Sequence, residues 1–237
     1  MGSKAKIKKY IVPIIQNIIE KNNSKIFIDC FVGGANIIDN IKCEKRIGND
    51  LSRPLIALWR GLQQDRDIKI YTRDEYNYIK KHKEDVDDFT LGVVGFLHSY
   101  NAKYFGGYAG EVITKTGVNR DYRIESINNI VKQKKYIQDV VFVNKDYKEM
   151  KDIKSAVIYA DIPYKSTTGY EGYFNHDEFY DWARQKSKDN IVLISELQAP
   201  DDFVCIWEQV VTRTHNHKDR FKSVEKLFIH KTNLEKI

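Results

Sequence analysis

Residues 157–164, with the sequence VIYADIPY, restrict most strongly what this chain can fold into. The apolar part of the segment has the length and composition of a buried strand. Pro163 has no N–H group and a fixed φ, so regular strand pairing should end there. Asp161 and Tyr164 are therefore predicted at the carboxyl edge of a sheet, which is where open α/β sheets bind ligands.

The chemistry of this edge suits an amino group on a flat ring. Asp161 and the carbonyl of Ile162 could accept its N–H hydrogen bonds, while Tyr164 could stack on the ring. The alternative is a strand followed by a proline turn with a buried tyrosine, because short motifs often match by chance. The remainder of the chain has to decide between these interpretations.

A second strand followed by an acid lies near the start of the chain. Residues 26–28 predict a strand that leads into Asp29 and then into Gly33 and Gly34. Glycine lets the backbone approach a ligand closely, and the spacing matches neither the dinucleotide fingerprint nor the P-loop, so a cofactor without phosphates fits better. Asp50 follows a second predicted strand, where an acid often binds a ribose; it could equally cap the next helix, and both roles can hold at once.

Length and composition indicate one large domain, or a domain with an insertion, in an intracellular protein. The chain has 237 residues, of which 42% are hydrophobic and 30% charged. No apolar run approaches the roughly 20 residues of a membrane span, and no signal core follows the N-terminus. Cys30, Cys43 and Cys205 are scattered and the six histidines form no ligand cluster, so no metal is predicted.

The middle of the chain, residues 63–152, has a different pattern. The apolar stretch 91–97 contains two glycines and predicts a helix packed closely against another. The segment 99–110, which includes Lys103 and Tyr104, is predicted to be an ordered loop near the site.

Basic residues follow that loop on stretches that look helical: Lys115, Arg120, Arg123, Lys132, Lys134 and Lys135. Basic side chains between aromatic ones suit a DNA duplex, and the net charge of +6 permits a polyanionic partner. The alternative is an ordinary pair of solvated helices.

The last third of the chain predicts elements that would surround the 157–164 strand. Residues 165–174 are rich in hydroxyl and aromatic groups and are predicted to be a flexible loop, of the kind that can close over a flipped base. A helix over 177–186 and a buried strand over 190–196 follow. An antiparallel hairpin over 206–230 should close the sheet, and its basic tip, 213–222, could touch a phosphate backbone.

Four segments together resemble the adenine-N6 DNA methyltransferases of the Dam-like, D12 class, particularly small phage-type members. They are the start Gly2-Ser3-Lys4, the loop Asp29-Cys30-Phe31-Val32-Gly33-Gly34, the segment Asn49-Asp50-Leu51, and Asp161-Ile162-Pro163-Tyr164, which is similar to the catalytic Asp-Pro-Pro-Tyr. Two positions depart from the pattern: Ile162 replaces the first proline, and Asp29 stands where many members have glutamate.

The resemblance implies an α/β, Rossmann-like sheet that uses S-adenosylmethionine to methylate adenine in double-stranded DNA. It implies a catalytic domain over 1–62 and 153–237 with a mostly helical target-recognition insertion over 63–152. It further implies a monomer or weak dimer in the cytoplasm of a bacterium or a phage-infected cell. Three rivals stay open: a catalytically impaired DNA-binding relative, an RNA adenine methyltransferase, and a protein glutamine methyltransferase, which the basic insertion disfavours.

The residue roles implied by the resemblance fall into three groups. Asp161, Pro163 and Tyr164 would be catalytic. The cofactor would be held by Lys4, Asp29, Phe31, Gly33, Gly34, Asp50 and Asp161. DNA would be held by Lys103 and Tyr104 together with the basic set Lys115, Arg120, Arg123, Lys132, Lys134 and Lys135.

Overall fold

The computed structural model describes Lys4 and residues 7–164, 174–216 and 219–237, without the side chains of residues 212–223. Its strands are β1 (Ile26–Asp29), β2 (Lys45–Asn49), β3 (Glu111–Ile113), β4 (Asn119–Asp121), β5 (Val140–Val143), β6 (Ala156–Asp161), β7 (Ile191–Glu196), β8 (Phe203–Asn216) and β9 (Asp219–His230). Seven of them form one sheet in the order β5-β2-β1-β6-β7-β9-β8, and β3 pairs with β4 in a separate hairpin.

The central sheet is doubly wound. The strands β5, β2, β1, β6 and β7 are parallel, whereas β9 runs antiparallel to both β7 and β8. Counted along the chain, these five parallel strands follow the 3-2-1-4-5 order of a Rossmann sheet. The order reverses between β1 and β6, so the topological switch point lies at their carboxyl ends. The predicted α/β, Rossmann-like fold is confirmed.

Helices cover both faces of this sheet. The helices of the described residues are α1 (Lys8–Lys21), α2 (Arg53–Gln63), α3 (Arg73–Lys81), α4 (Asp88–Gly92), α5 (Tyr122–Lys134) and α6 (His176–Lys186), and a π-helical turn, Val93–Leu97, continues α4. The buried side chains of α3 pack in a separate cluster with Leu91, Val94 and Phe105. In β6, Val157 and Tyr159 are buried in the core that contains α1 and α2, while Ile158 and Ala160 are buried in the core that contains α6. Alternate side chains of a strand point to opposite faces, so β6 is apolar on both sides.

The chain between β2 and β5 leaves the sheet and returns to it. α2 starts near the carboxyl end of β2, and Phe89 at the start of α4 packs on Gly61 near the end of α2. Gly92 at the end of α4 lies against Pro54, so α4 runs back towards the carboxyl edge. The segment 93–121 therefore lies at the end of the molecule where the carboxyl edge of the sheet is found. α5 then descends over 13 residues, about 20 Å, to the amino end of β5.

Two details of the predicted insertion differ from the structure. β5 pairs with β2 in the central sheet, so the boundary predicted at residue 152 lies beyond a strand of that sheet. Lys115 and Arg120 belong to the β3–β4 hairpin instead of a helix, because Gly117, with a φ of +77°, closes a turn there. The sequence does not predict β5 as a strand of the central sheet, because its pattern VVFV is short and follows a basic helix.

Gly92→Ala should destabilise the fold, because a Cβ at this position would lie 2.3 Å from the Pro54 carbonyl oxygen and 2.9 Å from the Leu58 Cβ. The α2–α4 contact, predicted from the glycines of residues 91–97, would have to open. We expect a loss of roughly 1 to 3 kcal/mol in the free energy of unfolding, measured by urea denaturation. Asn128→Ala, on the exposed face of α5, is the matched control. Equal stability of both variants would contradict the close packing.

Some predictions concern residues outside this description. They are the glycine start at Gly2, the loop residues 165–173 and the side chains of the hairpin tip at 213–222. Within the described residues, no helix has both the length and the apolar character needed to cross a membrane.

Candidate active site

The two predicted acidic turns meet at the switch point of the sheet. Asp29 is the last residue of β1 and is in register with Tyr159 of β6, so Asp161 extends two residues further at the same edge. Asp161 in turn pairs with Ser195 of β7. As predicted from Pro163, strand pairing ends at Asp161. The carboxyl edges of three adjacent strands thus surround one site.

Asp29 is the most buried acid of this edge. Its exposed fraction is 2%, and its Oδ1 has no hydrogen-bond partner among the described residues. Burial raises the pKa of Asp29 well above its usual value, and the nearby charges of Asp161 and Asp50 raise it further. The folded protein therefore holds the proton of this carboxyl more tightly than an exposed aspartate does, and a cation placed beside it would favour the carboxylate.

The glycine turn after β1 is held by Asp50. The backbone N–H of Gly33, whose φ is +45°, donates to Asp50 Oδ2 at 3.1 Å, and Trp59 Nε1 donates to the Gly33 carbonyl at 3.0 Å. Asp50 Oδ1 accepts from the Ser52 N–H at 2.9 Å, immediately before α2. Burial raises the pKa of Asp50, although these two backbone hydrogen bonds oppose the shift. Asp50 thus ties the turn to the start of the helix, although the N-cap residue of α2 is Ser52 and not Asp50.

The other two residues of the predicted cofactor loop make different contacts. The ring of Phe31 packs against Tyr147, Phe174 and Phe179, with centroids 5.6, 5.9 and 6.0 Å away. The carbonyl of Gly34 accepts from Gln133 Nε2 at 3.2 Å. Phe31 therefore joins the aromatic cluster on the α6 side, while Gly34 connects the loop to α5.

Lys4 lies inside the site and contacts three of its polar groups. Its Nζ is 2.9 Å from Asp161 Oδ1 and 3.2 Å from Glu225 Oε2, and it also donates to the Tyr164 hydroxyl. The Tyr164 hydroxyl donates to Glu225 Oε2 at 2.6 Å. Lys4, predicted to hold the cofactor, thus contacts Asp161, which is predicted to hold the cofactor as well as to be catalytic, and the predicted catalytic Tyr164.

The charges of this cluster follow from burial and proximity. Burial alone would lower the pKa of Lys4, but Asp161 and the other anionic groups around it raise the pKa above its usual value. Burial is also the largest cause of the raised pKa of Tyr164, followed by the charge of Asp161. Lys4 is therefore an ammonium and Tyr164 a neutral phenol. The Lys4 Nζ lies 4.6 Å from the Tyr164 ring centroid, at the hydroxyl end of the ring.

The residues between Asp161 and Tyr164 are fixed from the α6 side. Ile162 is 2% exposed and packs in the core that includes Phe179, so the isoleucine found in place of the family's first proline fills apolar space. The Pro163 carbonyl lies 2.9 Å from Nε2 of His176, the first residue of α6. The turn is thus anchored by a side chain and by a backbone contact.

Two arginines predicted to bind DNA are engaged within the protein. Arg123 is only 12% exposed at its side chain and donates to Asp121 and to the Tyr108 hydroxyl, both at 2.6 Å. Arg120 is more exposed and donates to Glu125 at 2.7 Å. Arg123 is therefore a structural residue of the hairpin base in this arrangement.

The predicted lysines divide between the two edges of the sheet. Lys132, Lys134 and Lys135 occupy the end of α5, just before the amino end of β5, at the edge opposite to Asp161. Lys134 is also paired with Asp65. The sequence could not separate these residues from the site, because it does not reveal the direction in which α5 runs.

Lys103 and Lys115 lie on the catalytic side of the molecule. Both are exposed and belong to the 93–121 segment. The neighbouring Tyr104 is half-buried, and its ring packs against Phe96 and Phe105 with centroids 4.9 and 4.8 Å away. The loop predicted over residues 99–110 is thus ordered through its aromatic side chains.

Glu225 is a site residue that the sequence analysis missed. It belongs to β9, in phase with the buried Leu227 and Ile229. A charged residue on the buried face of a strand is an exception to apolar alternation, and this signal could have identified it. Within the described residues, no cluster of three or more His, Cys, Asp or Glu side chains could hold a metal ion.

A doubly wound, mostly parallel sheet with two acids at its switch point has the architecture of the Rossmann-like α/β proteins, which bind ligands at that edge. The chain belongs to the family of D12 class N6 adenine-specific DNA methyltransferases, whose model matches residues 1–196. It is 26% identical over 192 residues to the modification methylase StsI of Streptococcus sanguinis, covering 71% of this chain. The chain spans 28% of that relative's length.

Two solved structures are similar only in outline. A proposed methylase from Haemophilus influenzae has a TM-score of 0.35 and 9% identity, covering 96% of this chain and 87% of the other. A proposed RNA methyltransferase from Pyrococcus horikoshii has a TM-score of 0.41 and 7% identity, covering 99% and 100%.

Proposed function

We propose that this protein transfers a methyl group from S-adenosylmethionine to N6 of an adenine flipped out of double-stranded DNA, in the cytoplasm of its host. The observation that carries the proposal is the meeting of Asp29 and the Asp161–Tyr164 turn at the switch point, in a member of an adenine-specific family. One acid would serve the cofactor and the other the substrate amine.

The chain's residues fit the cofactor. Asp29 Oδ1, which has no hydrogen-bond partner among the described residues, is a buried acceptor suited to the ammonium of the donor's amino-acid end. At Gly33 a Cβ would meet only the Phe31 carbonyl oxygen, at 3.7 Å. Asp50 would face the ribose, with Phe31 and Gly34 shaping the same loop. When bound, S-adenosylmethionine supplies an electrophilic methyl group on a sulfonium.

Asp161 would act on the adenine amino group by hydrogen bonding and charge. The N6 lone pair is delocalised into the ring, and a hydrogen bond from N6 to the carboxylate favours a more tetrahedral nitrogen. The same carboxylate stabilises the positive charge that develops on N6 as the methyl arrives. Asp161 need not remove the proton beforehand, so proton loss follows to solvent.

Tyr164 would hold the flipped base. Flipping costs a few kcal/mol, and stacking on an aromatic ring returns about 1 to 3 kcal/mol. Because Lys4 Nζ contacts Asp161 Oδ1, the ammonium has to shift as the N6 amino group takes its place. Pro163 keeps the turn rigid, with its carbonyl beside His176.

The duplex would lie across the 93–121 segment, which we propose as the central part of a target-recognition insertion spanning residues 64–139. Lys103 and Lys115 would make phosphate contacts there, and Tyr104 would support the loop that carries Lys103. Arg120 could exchange its Glu125 partner for a phosphate. The lysines at the end of α5, which precede the amino end of β5, would then lie outside this duplex contact.

Lys103→Ala/Lys115→Ala should weaken binding to all duplexes and flatten the salt dependence of the affinity. Each phosphate contact that is lost lowers the number of counterions that binding releases. The slope of log affinity against log salt should fall by about 2, measured by fluorescence anisotropy. Lys132→Ala/Lys135→Ala removes the same charge at the opposite edge and serves as the control. An equal loss of slope in both variants would reject this placement of the duplex.

The proposed activity is tested with the whole chain and a methyl-labelled donor. Adenine-containing duplex DNA, RNA and protein are offered as substrates, and the labelled group is mapped by mass spectrometry. Label on N6 of adenine in duplex DNA is expected. Label confined to RNA or protein, or no transfer to any duplex despite donor binding, would overturn the proposal and favour one of the three rivals.

A further inference from the structure

Glu225 lies beyond residues 1–196, which the family model matches. It precedes Lys226, which pairs with Glu196 at the end of β7. Because β9 is antiparallel to β7, Glu225 lies just past the carboxyl edge of the parallel strands. The closing hairpin therefore brings a carboxylate to the catalytic edge from the far end of the chain.

The groups around the Glu225 carboxylate stabilise its ionised form. Glu225 is 4% exposed, so its desolvation is costly unless it is paired and hydrogen-bonded. Lys4 supplies the charge, 3.2 Å from Oε2, and the Tyr164 hydroxyl donates to the same oxygen at 2.6 Å. Neither the core nor the sheet requires an acid there, since the adjacent inward positions of β9 are leucine and isoleucine.

We propose that Glu225 is a positioning residue that orients Tyr164 for the substrate base, an inference that rests on the proposed function. A tyrosine side chain can swing about its Cα–Cβ bond, and a hydrogen bond to its hydroxyl restrains this swing by fixing the far end of the ring. With the ring fixed, the base enters a preformed stacking position next to Asp161. A misplacement of about 1 Å can cost roughly 100-fold in rate, so such a restraint has a measurable effect.

The same geometry limits how Lys4 interacts with Asp161. The ammonium is shared between Asp161 Oδ1 and Glu225 Oε2, at 2.9 and 3.2 Å. When the base displaces the ammonium from Asp161, Glu225 retains it in the site. Glu225 thereby keeps a countercharge near the turn without leaving it on the carboxylate that receives N6.

The test is a double-mutant cycle in the full chain, on the duplex that the parent methylates. Single-turnover methyl transfer is measured for Glu225→Ala, Glu225→Gln, Tyr164→Phe and the combined Glu225→Ala/Tyr164→Phe. Donor affinity is measured by calorimetry. Folding is checked by circular dichroism, and Glu208→Ala, an exposed acid of β8, is the matched control.

Glu225→Ala should slow transfer about 10- to 100-fold with donor affinity within about twofold, and Glu225→Gln should recover part of the rate because its amide oxygen still accepts from the phenol. In the Tyr164→Phe background the effect of Glu225→Ala should shrink to about threefold or less. If Glu225→Ala does not fold, Tyr164→Phe alone should reproduce the loss, since it removes the same hydrogen bond.

Three results would overturn the inference. They are an unchanged rate in Glu225→Ala, an equal loss in the Tyr164→Phe background, and an unchanged rate in Tyr164→Phe. An inactive parent would instead overturn the proposed function, and this inference with it.

Discussion

Asp161→Ala should reduce methyl transfer by at least 100- to 1000-fold, the size of effect seen when one preorganised electrostatic contact to a transition state is removed. The amino group of adenine would lose the acceptor that favours its tetrahedral form and the charge that stabilises the methylated cation. Asp161→Asn should be slow as well, because an amide oxygen accepts a hydrogen bond but carries no charge. Single-turnover kinetics with labelled donor measure both losses.

Base flipping should survive this substitution. Tyr164 keeps its Glu225 partner in Asp161→Asn, so a 2-aminopurine at the target position should still brighten when the protein binds the duplex. Donor affinity should also change little, because Asp29 and the glycine turn are untouched. Asp177→Ala, an exposed acid at the start of α6, controls for loss of a carboxylate. Full methylation by Asp161→Ala would reject the assigned mechanism.

The sequence predicts the sheet well because its strands are short apolar runs that end at polar residues. β1 and β6 both end in an aspartate, and the parallel arrangement then brings Asp29 and Asp161 to one edge. Pro163 predicts the end of β6 for a covalent reason that needs no tertiary information. The glycines of residues 91–97 likewise predict the α2–α4 contact, since a close approach leaves no room for a Cβ.

The contacts that the sequence does not predict join residues far apart in the chain. Lys4 and Glu225 are 221 positions apart, and their meeting depends on the order of β7, β9 and β8. The direction of α5 depends on α4 running back along α2, and this places Lys132 to Lys135 before the amino end of β5, a position that their charge does not indicate. Charge alone does not distinguish an arginine that binds phosphate from Arg123, which its neighbour Asp121 holds.

Asp29→Asn should weaken S-adenosylmethionine binding and stabilise the free protein. The loss of one charge-assisted hydrogen bond, about 1.5 to 3 kcal/mol, corresponds to roughly 10- to 100-fold in donor affinity. Stability should move in the opposite direction, because the variant no longer has to bury an ionisable group beside Asp161 and Asp50. A gain of roughly 0.5 to 2 kcal/mol is expected from urea unfolding near neutral pH.

The pH dependence gives the sharper test, because its sign follows from the raised pKa of Asp29. The folded state holds the proton more tightly than the unfolded chain, so the parent's stability falls as pH rises from the ordinary aspartate pKa, about 3.9, towards the raised value. Asp29→Asn should abolish that part of the decline. Donor binding favours the carboxylate, so below the raised pKa it should release a proton and strengthen with pH. Calorimetry in buffers of different ionisation enthalpy should detect this release in the parent and not in Asp29→Asn. Equal proton release in both proteins would show that the donor's ammonium is not bound at Asp29.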